Sequence, residues 1–378
     1  GINFSTYGAT LVHLDKNGEP VTPLYNYLKP FPEEAAREFA RKYGSASNDQ
    51  ETASPFLGML NSGLQLYWLK YFKPDIFGRI HTTLHFPQYL SYIFTGKIVS
   101  EPTSIGCHTK LWDFNKQQYH AWLTNEDLAS RFPEIVATSQ CYQVKIKEKH
   151  IKVGVGIHDS SAALTSYFQR ADKAFVLIST GTWSIALNPF TSEVLTLEDL
   201  NRDCLNYLSI TGSPVRASRL FLGNELDHQL AVLNKLFGTA ASYYKEVKLN
   251  SSFLRALGSG AIDCQFCPAT INNPGVVDHA LTSTSWDPSV FSSFDEAYHH
   301  VMLGLVKLQV ESVRLALGQS KVNKIFIDGG FIENDLYIQL LHFYLRDFDI
   351  EISDRPLGSA YGAALILDDE KVRAFQPA

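Results

Sequence analysis

At 378 residues the chain is longer than one hydrophobic core ordinarily fills, so two domains are expected. Its 45% hydrophobic and 19% charged residues are those of a folded chain, not a disordered one. A net charge of −6 without any Lys/Arg-rich run argues against nucleic acid as a partner, and no apolar stretch reaches membrane-spanning length.

The opening residues Gly1 to Ser5 carry neither a basic n-region nor an apolar signal segment, so a cytoplasmic protein is expected. Ile2 to Leu14 reads as two short strands around Gly8, followed by a hairpin turn at Asp15-Lys16-Asn17-Gly18. A chain that enters a strand at once leaves an edge to be paired, and sequence upstream is expected. Residues 32–43 and 62–72 have helical periodicity, His85 to Phe94 another helix closed by Thr95-Gly96, and a further helical stretch is expected after Asn125. The segment 141–158 alternates like a strand and runs into a small-residue helix, Ser160 to Tyr167. The polar seam at 168–172 divides two apolar blocks, placing the domains at 1–168 and 169–378.

In the second block, Phe175 to Ile178 and Thr182 to Leu187 read as paired strands, and 197–208 and 218–236 as helices. The 250–293 region is rich in Ser, Asn, Pro and Gly and reads as loop. A long helix over 294–317 has Ser293 and Glu296 at capping-box spacing, one broad apolar face, and Gly318 just past its end. Lys324 to Asp328 is a buried-strand candidate; Gly329-Gly330 then turns into a helix from about Asn334. A strand at 351–353 and the small-residue helix Ser359 to Leu367 complete the pattern.

Five cysteines (107, 141, 204, 264 and 267) form no framework. Cys264-Gln265-Phe266-Cys267 has the spacing of half a zinc site, yet no second Cys/His pair stands at a matching distance, and two ordinary thiols are expected.

Four motifs carry chemistry. Gly154-Val155-Gly156-Ile157-His158-Asp159-Ser160 ends in an isolated carboxylate, which alone is either a helix N-cap or a general base. Beside it, His158 is either a turn residue or a donor to a sugar hydroxyl. Ser179-Thr180-Gly181-Thr182-Trp183-Ser184 closes an apolar strand in a tight polar turn whose backbone can approach an anion. Asp328-Gly329-Gly330-Phe331-Ile332-Glu333-Asn334 lets a flat or anionic ligand lie on the backbone, or is merely a turn. Gly358-Ser359-Ala360-Tyr361-Gly362-Ala363-Ala364 allows close approach of a helix or a ligand.

In this order the four motifs resemble those of the FGGY carbohydrate kinases, and the resemblance extends along essentially the whole chain. It implies an α/β, actin/hexokinase-like (ribonuclease H-like) fold of two domains closing on an interdomain cleft. It further implies ATP and Mg2+ as cofactors, a small-molecule sugar substrate, and a homodimer. Carried over residue by residue, Asp159 matches the general base and a water-mediated metal contact, with His158, Ser160 and Gly8 in the sugar pocket. Gly181 and Thr182 match the turn that meets the ATP phosphates, Gly329, Gly330 and Asn334 the adenosine-contacting turn, and Gly362-Ala363-Ala364 its supporting helix. The Gly-Thr-Trp form of the phosphate turn is similar to that of rhamnulose and fuculose kinases, which points to a deoxyketohexose. Two departures accompany the match. The family's Asp-x-Gly-Thr phosphate hairpin has no counterpart in the sequence, which reads as an incomplete N-terminal domain. Tyr25-Asn26-Tyr27-Leu28-Lys29 also stands where many members carry a Trp-x-Asp-x-Arg sugar contact. A catalytically silent sugar- or nucleotide-binding member is therefore the alternative, with an actin-like structural ATPase a distant third.

Overall fold

The computed structural model describes residues 1–168, 170–191, 193–353 and 358–368. The first half builds a helical layer around small strand pairs. Its elements are β1 (Ser5–Thr6), β2 (Leu11–Leu14), α1 (Glu33–Tyr43), α2 (Ser62–Phe72), β3 (Thr82–His85) and α3 (Phe86–Thr95). β2 and β3 pair antiparallel, and Leu11, Phe39, Leu64, Tyr67, Leu111 and Trp122 form the core beneath them. The turn before residue 20 forms as its sequence dictates: Gly18 sits at φ 83° and its amide donates to the Asp15 carbonyl at 3.0 Å. Gly96, at φ 64°, ends α3.

The helix expected after Asn125 lies before it, over Ala121–Asn125, and Asp127 at φ 51° turns the chain away. Glu126, at this bend, is 3% exposed and ties three helices together. Its carboxylate accepts from the Tyr71 and Tyr43 hydroxyls at 2.5 and 2.7 Å and from Lys70 and Lys42 at 3.0 and 3.1 Å. Burial alone pushes this carboxyl up, but those four donors outweigh it and hold the group at about 2 against an ordinary 4.5. The folded value lies below the unfolded one, so the stabilisation is full above about pH 4.5 and is lost as pH falls through about 2. In urea titrations, E126Q is expected to unfold earlier than the parent at pH 7, with the gap narrowing below pH 4.5. A gap that stayed constant with pH would remove the ionised carboxylate from this account.

Residues 141–158 form a hairpin of β4 (Cys141–Ile146) and β5 (Lys149–Gly154), then β6 (Ile157–His158), from which α4 (Asp159–Phe168) departs. β1 lies parallel to β6, with Ser5 opposite Ile157 and Thr6 opposite His158.

The second half is organised by one six-stranded sheet. Its strands are β7 (Phe175–Thr180), β8 (Ser184–Asn188), β9 (Cys204–Leu208), β10 (Pro214–Leu220), β11 (Lys324–Gly329) and β12 (Asp349–Ile352), in spatial order β9-β10-β8-β7-β11-β12. β7, β11 and β12 run parallel to one another, and the hairpin strands pair antiparallel. This corrects the helices expected over 197–208 and 218–236. Only Leu197–Asn201 is helical; Asp203 at φ 58° breaks the run, and β9 and β10 follow. The helix α5 begins later and spans Leu222–Phe237. The 250–293 stretch is also more regular than its composition implies, with helices at Ser251–Gly258 and Pro274–Ala280.

The helix α6 (Phe294–Leu317) backs the sheet and is buried nearly all round, beyond the single face expected of it. Its cap is only half the anticipated box. Ser293 accepts from the Glu296 amide, but the Glu296 carboxylate reaches Ser292 instead. Past β11 the chain forms α7 (Asp335–Tyr344) and, at its far end, α8 (Gly358–Leu365), which packs across α4. Asn3 ties that end to the beginning: its Nδ2 donates to the Ala363 carbonyl at 2.8 Å, and its Oδ1 accepts from the Gly156 amide at 3.0 Å. The seam at 168–172 includes Gln169, which lies outside the described residues, as does Ser192. Among the described residues no helix is long and apolar enough to cross a membrane.

Candidate active site

Two parallel strand pairs bring the motifs together. Thr6 stands opposite His158, so the turn at Gly8 and the start of α4 leave the same edge. Ser179 stands opposite Asp328 and Thr180 opposite Gly329, so the turn at Gly181 emerges beside the Gly-Gly turn. Carboxyl ends of parallel strands leave a crevice beyond them, where loops can converge on a ligand. Here it is a cavity of about 380 Å3, walled by Gly8, His108 and Asp159 from the first half and by Thr182, Arg219 and Asp328 from the second.

Asp159 begins α4 with a carboxylate 45% exposed to the cavity. Its Oδ1 accepts from the Ser160 amide at 2.7 Å and lies 3.2 Å from His158 Nε2, while Oδ2 accepts nothing from the described residues. The His158 ring is 2% exposed, and burial lowers its basicity against the pull of Asp159 and Glu101. The other ring nitrogen, Nδ1, lies 3.3 Å from Ser161 Oγ. Gly8 lines the cavity at the ring's edge: a Cβ there would stand 2.8 Å from His158 Cδ2 and 2.7 Å from Cys107 Sγ. Ser160 lines the wall next to Asp159.

Across the cavity, Gly181 and Thr182 are exposed at the tip of the β7–β8 turn. The Gly181 amide is used within the turn, donating to the Trp183 carbonyl at 2.8 Å. The Thr182 carbonyl accepts from the Gly223 and Asn224 amides at 3.1 and 3.3 Å, which seats the turn on the N-terminus of α5. Gly223 is required there, because a Cβ would fall 2.2 Å from the Gly181 carbonyl oxygen. The Thr182 amide and hydroxyl make no hydrogen bond among the described residues.

Behind the same turn lies a second cavity of about 280 Å3, lined by Gly181, Thr182, Tyr244, Lys245, Gly330 and Asn334. Gly330 has nothing within 4 Å of a built Cβ, so its backbone is open to a ligand. Gly329 has a different reason to be glycine: φ is 93° and a Cβ would collide with the Thr180 carbonyl oxygen at 1.8 Å. Asn334 lines this cavity, but its side chain is engaged, accepting from the Tyr337 amide as the N-cap of α7 and donating to the Tyr298 hydroxyl at 2.8 Å. The Gly362 helix packs against protein here: a Cβ would lie 1.7 Å from the Ala162 carbonyl oxygen of α4.

Several cavity residues carried no signal of their own in the sequence. His108, Tyr207 and Arg219 come from three separate segments and meet at one end. The His158 ring centroid lies 5.4 Å from that of Tyr207 and 6.3 Å from that of His108. Arg219, 4% exposed, donates to Asp203 at 2.6 Å, with its guanidinium 5.3 Å from the Trp183 ring. An arginine inside an alternating segment was the available clue. Tyr7 and Tyr27 pair at 5.5 Å on the wall beside Asp159. Asp328 is buried, and burial raises its carboxyl against a hydrogen bond from the Gly329 amide. Cys264 is buried and its thiol is pushed up to about 11, which leaves it protonated and packing as an ordinary side chain.

The model of the carbohydrate kinase FGGY C-terminal domain matches residues 172–375, and that of the N-terminal domain of the FGGY family of carbohydrate kinases matches residues 1–163. The chain belongs to the FGGY family of carbohydrate kinases. Among its relatives, a rhamnulokinase of Halalkalibacterium halodurans is 28% identical over 198 residues, 49% of this chain and 40% of that protein. That match therefore spans less than half of the rhamnulokinase. An L-fuculokinase of Escherichia coli is 21% identical over 392 residues, covering 97% of this chain and 76% of that protein. The fold is shared with a carbohydrate kinase from Novosphingobium aromaticivorans, with a TM-score of 0.77 at 22% identity over 97% of this chain and 79% of the other. The two-domain FGGY fold expected from the sequence is the one observed.

Proposed function

We propose that this FGGY protein transfers the terminal phosphoryl group of ATP to a hydroxyl of a ketose, a deoxyketohexose in the first instance. One observation carries the reading. The Gly181–Thr182 turn is a shared wall, with Asp159 facing it in one cavity and Gly330 and Asn334 in the other. A sugar in the first and a nucleotide in the second meet at that turn. The relatives named rhamnulokinase and L-fuculokinase support the sugar class.

In this reading Asp159 Oδ2 takes the proton of the attacking hydroxyl. The new bond forms between the sugar oxygen and the terminal phosphorus, and the bond to the bridging oxygen breaks to release ADP. His158 stands beside the base, its Nε2 3.2 Å from Oδ1, on the wall of the sugar cavity. The Thr182 amide and hydroxyl, without hydrogen-bond partners among the described residues, donate to phosphate oxygens, and Gly330 lets the nucleotide lie on the backbone. A divalent cation such as Mg2+, when bound, neutralises charge on the phosphate oxygens. Asp328, and Asp159 through water, are the hard oxygen donors that would hold it. Five cysteines without a disulfide among them suit a reducing cytoplasm.

The test is ADP release, followed with a coupled assay over a panel of ketoses, deoxyketoses and polyols. Turnover confined to ketoses supports the reading. ATP and sugar binding without turnover on any of them would replace it with the silent member.

A further inference from the structure

We propose that His108 is a specificity residue that accepts a hydrogen bond from a second sugar hydroxyl, distinct from the one delivered to Asp159. The inference rests on the sugar-kinase reading of the same cavity.

The assignment follows from what each ring nitrogen can do. His108 Nδ1 lies 2.8 Å from the Leu60 carbonyl oxygen, which can only accept, so Nδ1 carries the proton. The other nitrogen, Nε2, makes no hydrogen bond within the described residues, and the ring lines the cavity. Protonating Nε2 would place a second cation against the buried Arg219. Burial first, then Arg219 and His158, hold His108 down to about 3, so Nε2 presents a bare lone pair throughout the neutral range.

A bare lone pair selects what lies against it. A hydroxyl can donate to it, whereas a carbonyl, a carboxylate or a methyl group cannot. Arg219 lines the same wall, its guanidinium donating to Asp203 and its Nε sealed from the cavity. The carboxylate of a sugar acid would satisfy Arg219 and leave its charge facing the His108 lone pair. This end of the cavity therefore favours a neutral polyhydroxy chain over a sugar acid, and a hydroxylated carbon over a deoxy carbon at that position. A deoxy carbon, if the substrate has one, belongs on the Tyr7–Tyr27 wall, where apolar ring faces are available.

The experiment pairs enzyme variants with substrate variants. For the ketose turned over by the parent, analogues lacking one hydroxyl at a time are assayed for kcat/KM and for binding by calorimetry. H108F is expected to lower kcat/KM and sugar affinity about 10- to 100-fold, with the KM for ATP unchanged. One analogue is expected to lose a similar factor with the parent and almost nothing further with H108F. H108N keeps a donor for the Leu60 carbonyl but no acceptor at the Nε2 position, so it should behave like H108F. Recovery in H108N, or equal losses on every analogue, would overturn the assignment of His108 while leaving the kinase reading intact. Absence of any ketose binding by the parent would instead overturn the kinase reading and this inference with it.

Discussion

D159N is expected to lower kcat by roughly 10²- to 10⁴-fold, the range a positioned general base supplies, while the sugar KM moves only a few-fold. The substitution isolates the chemistry because almost nothing else about the site changes. An asparagine oxygen can still accept from the Ser160 amide and hydroxyl, the two groups that donate to Oδ1. What disappears is the free carboxylate oxygen that faces the cavity. Sugar binding measured by calorimetry should survive, since His108, Tyr207 and Arg219 are untouched. Turnover within tenfold of the parent would mean that the proton leaves by another route, and Asp159 would revert to a helix-starting residue.

G362A is expected to be costly in a different way. Its Cβ would sit 1.7 Å from the Ala162 carbonyl oxygen and 2.5 Å from its carbon, both backbone atoms that no rotamer change can remove. α4 and α8 must then move apart. Overpacking of this kind costs about 1–3 kcal/mol and more when backbone has to shift, and the thermal midpoint should fall by several degrees. The displacement also reaches the chemistry, because Asp159 is the first residue of α4. On the proposed reading, a shift of about 1 Å between Asp159 and the Gly181–Thr182 turn is enough for a loss near 10²-fold in kcat. G330A is the matched control: its added Cβ meets nothing within 4 Å, so its melting curve should overlay that of the parent. An unchanged melting temperature and unchanged turnover in G362A would show that the two helices are not as closely seated as described.

Much of this architecture was legible in the residues. The helices at 33–43, 62–72 and 294–317 announce themselves through periodicity, and Gly96 and Gly318 mark helix ends because few other residues tolerate those turns. The region from 197 to 220 was misread for a physical reason. Leu200, Cys204, Leu205, Tyr207 and Leu208 fall at spacings that suit a helix as well as a strand, and Asp203 at positive φ gives no sign of itself in the sequence. The candidate site divides the same way. Asp159, Thr182 and Gly330 lie in compact local motifs. His108, Tyr207 and Arg219 gain their meaning only when the sheet of the second half is set against the helices of the first. Asn334 shows the limit of motif reading: it lines the second cavity, yet its side chain is committed to α7 and Tyr298.

The turn at Gly181 and Thr182 has one further consequence. Because it is a common partition, seated on α5 by two amides to a single carbonyl, it has little freedom to answer one ligand without altering the surface met by the other. Any free energy that one occupant gains by reorienting Thr182 is returned, by linkage, as an identical factor in the affinity of its neighbour. On the proposed reading, with sugar in one cavity and nucleotide in the other, a single short peptide carries the synergy between them, without a long-range relay.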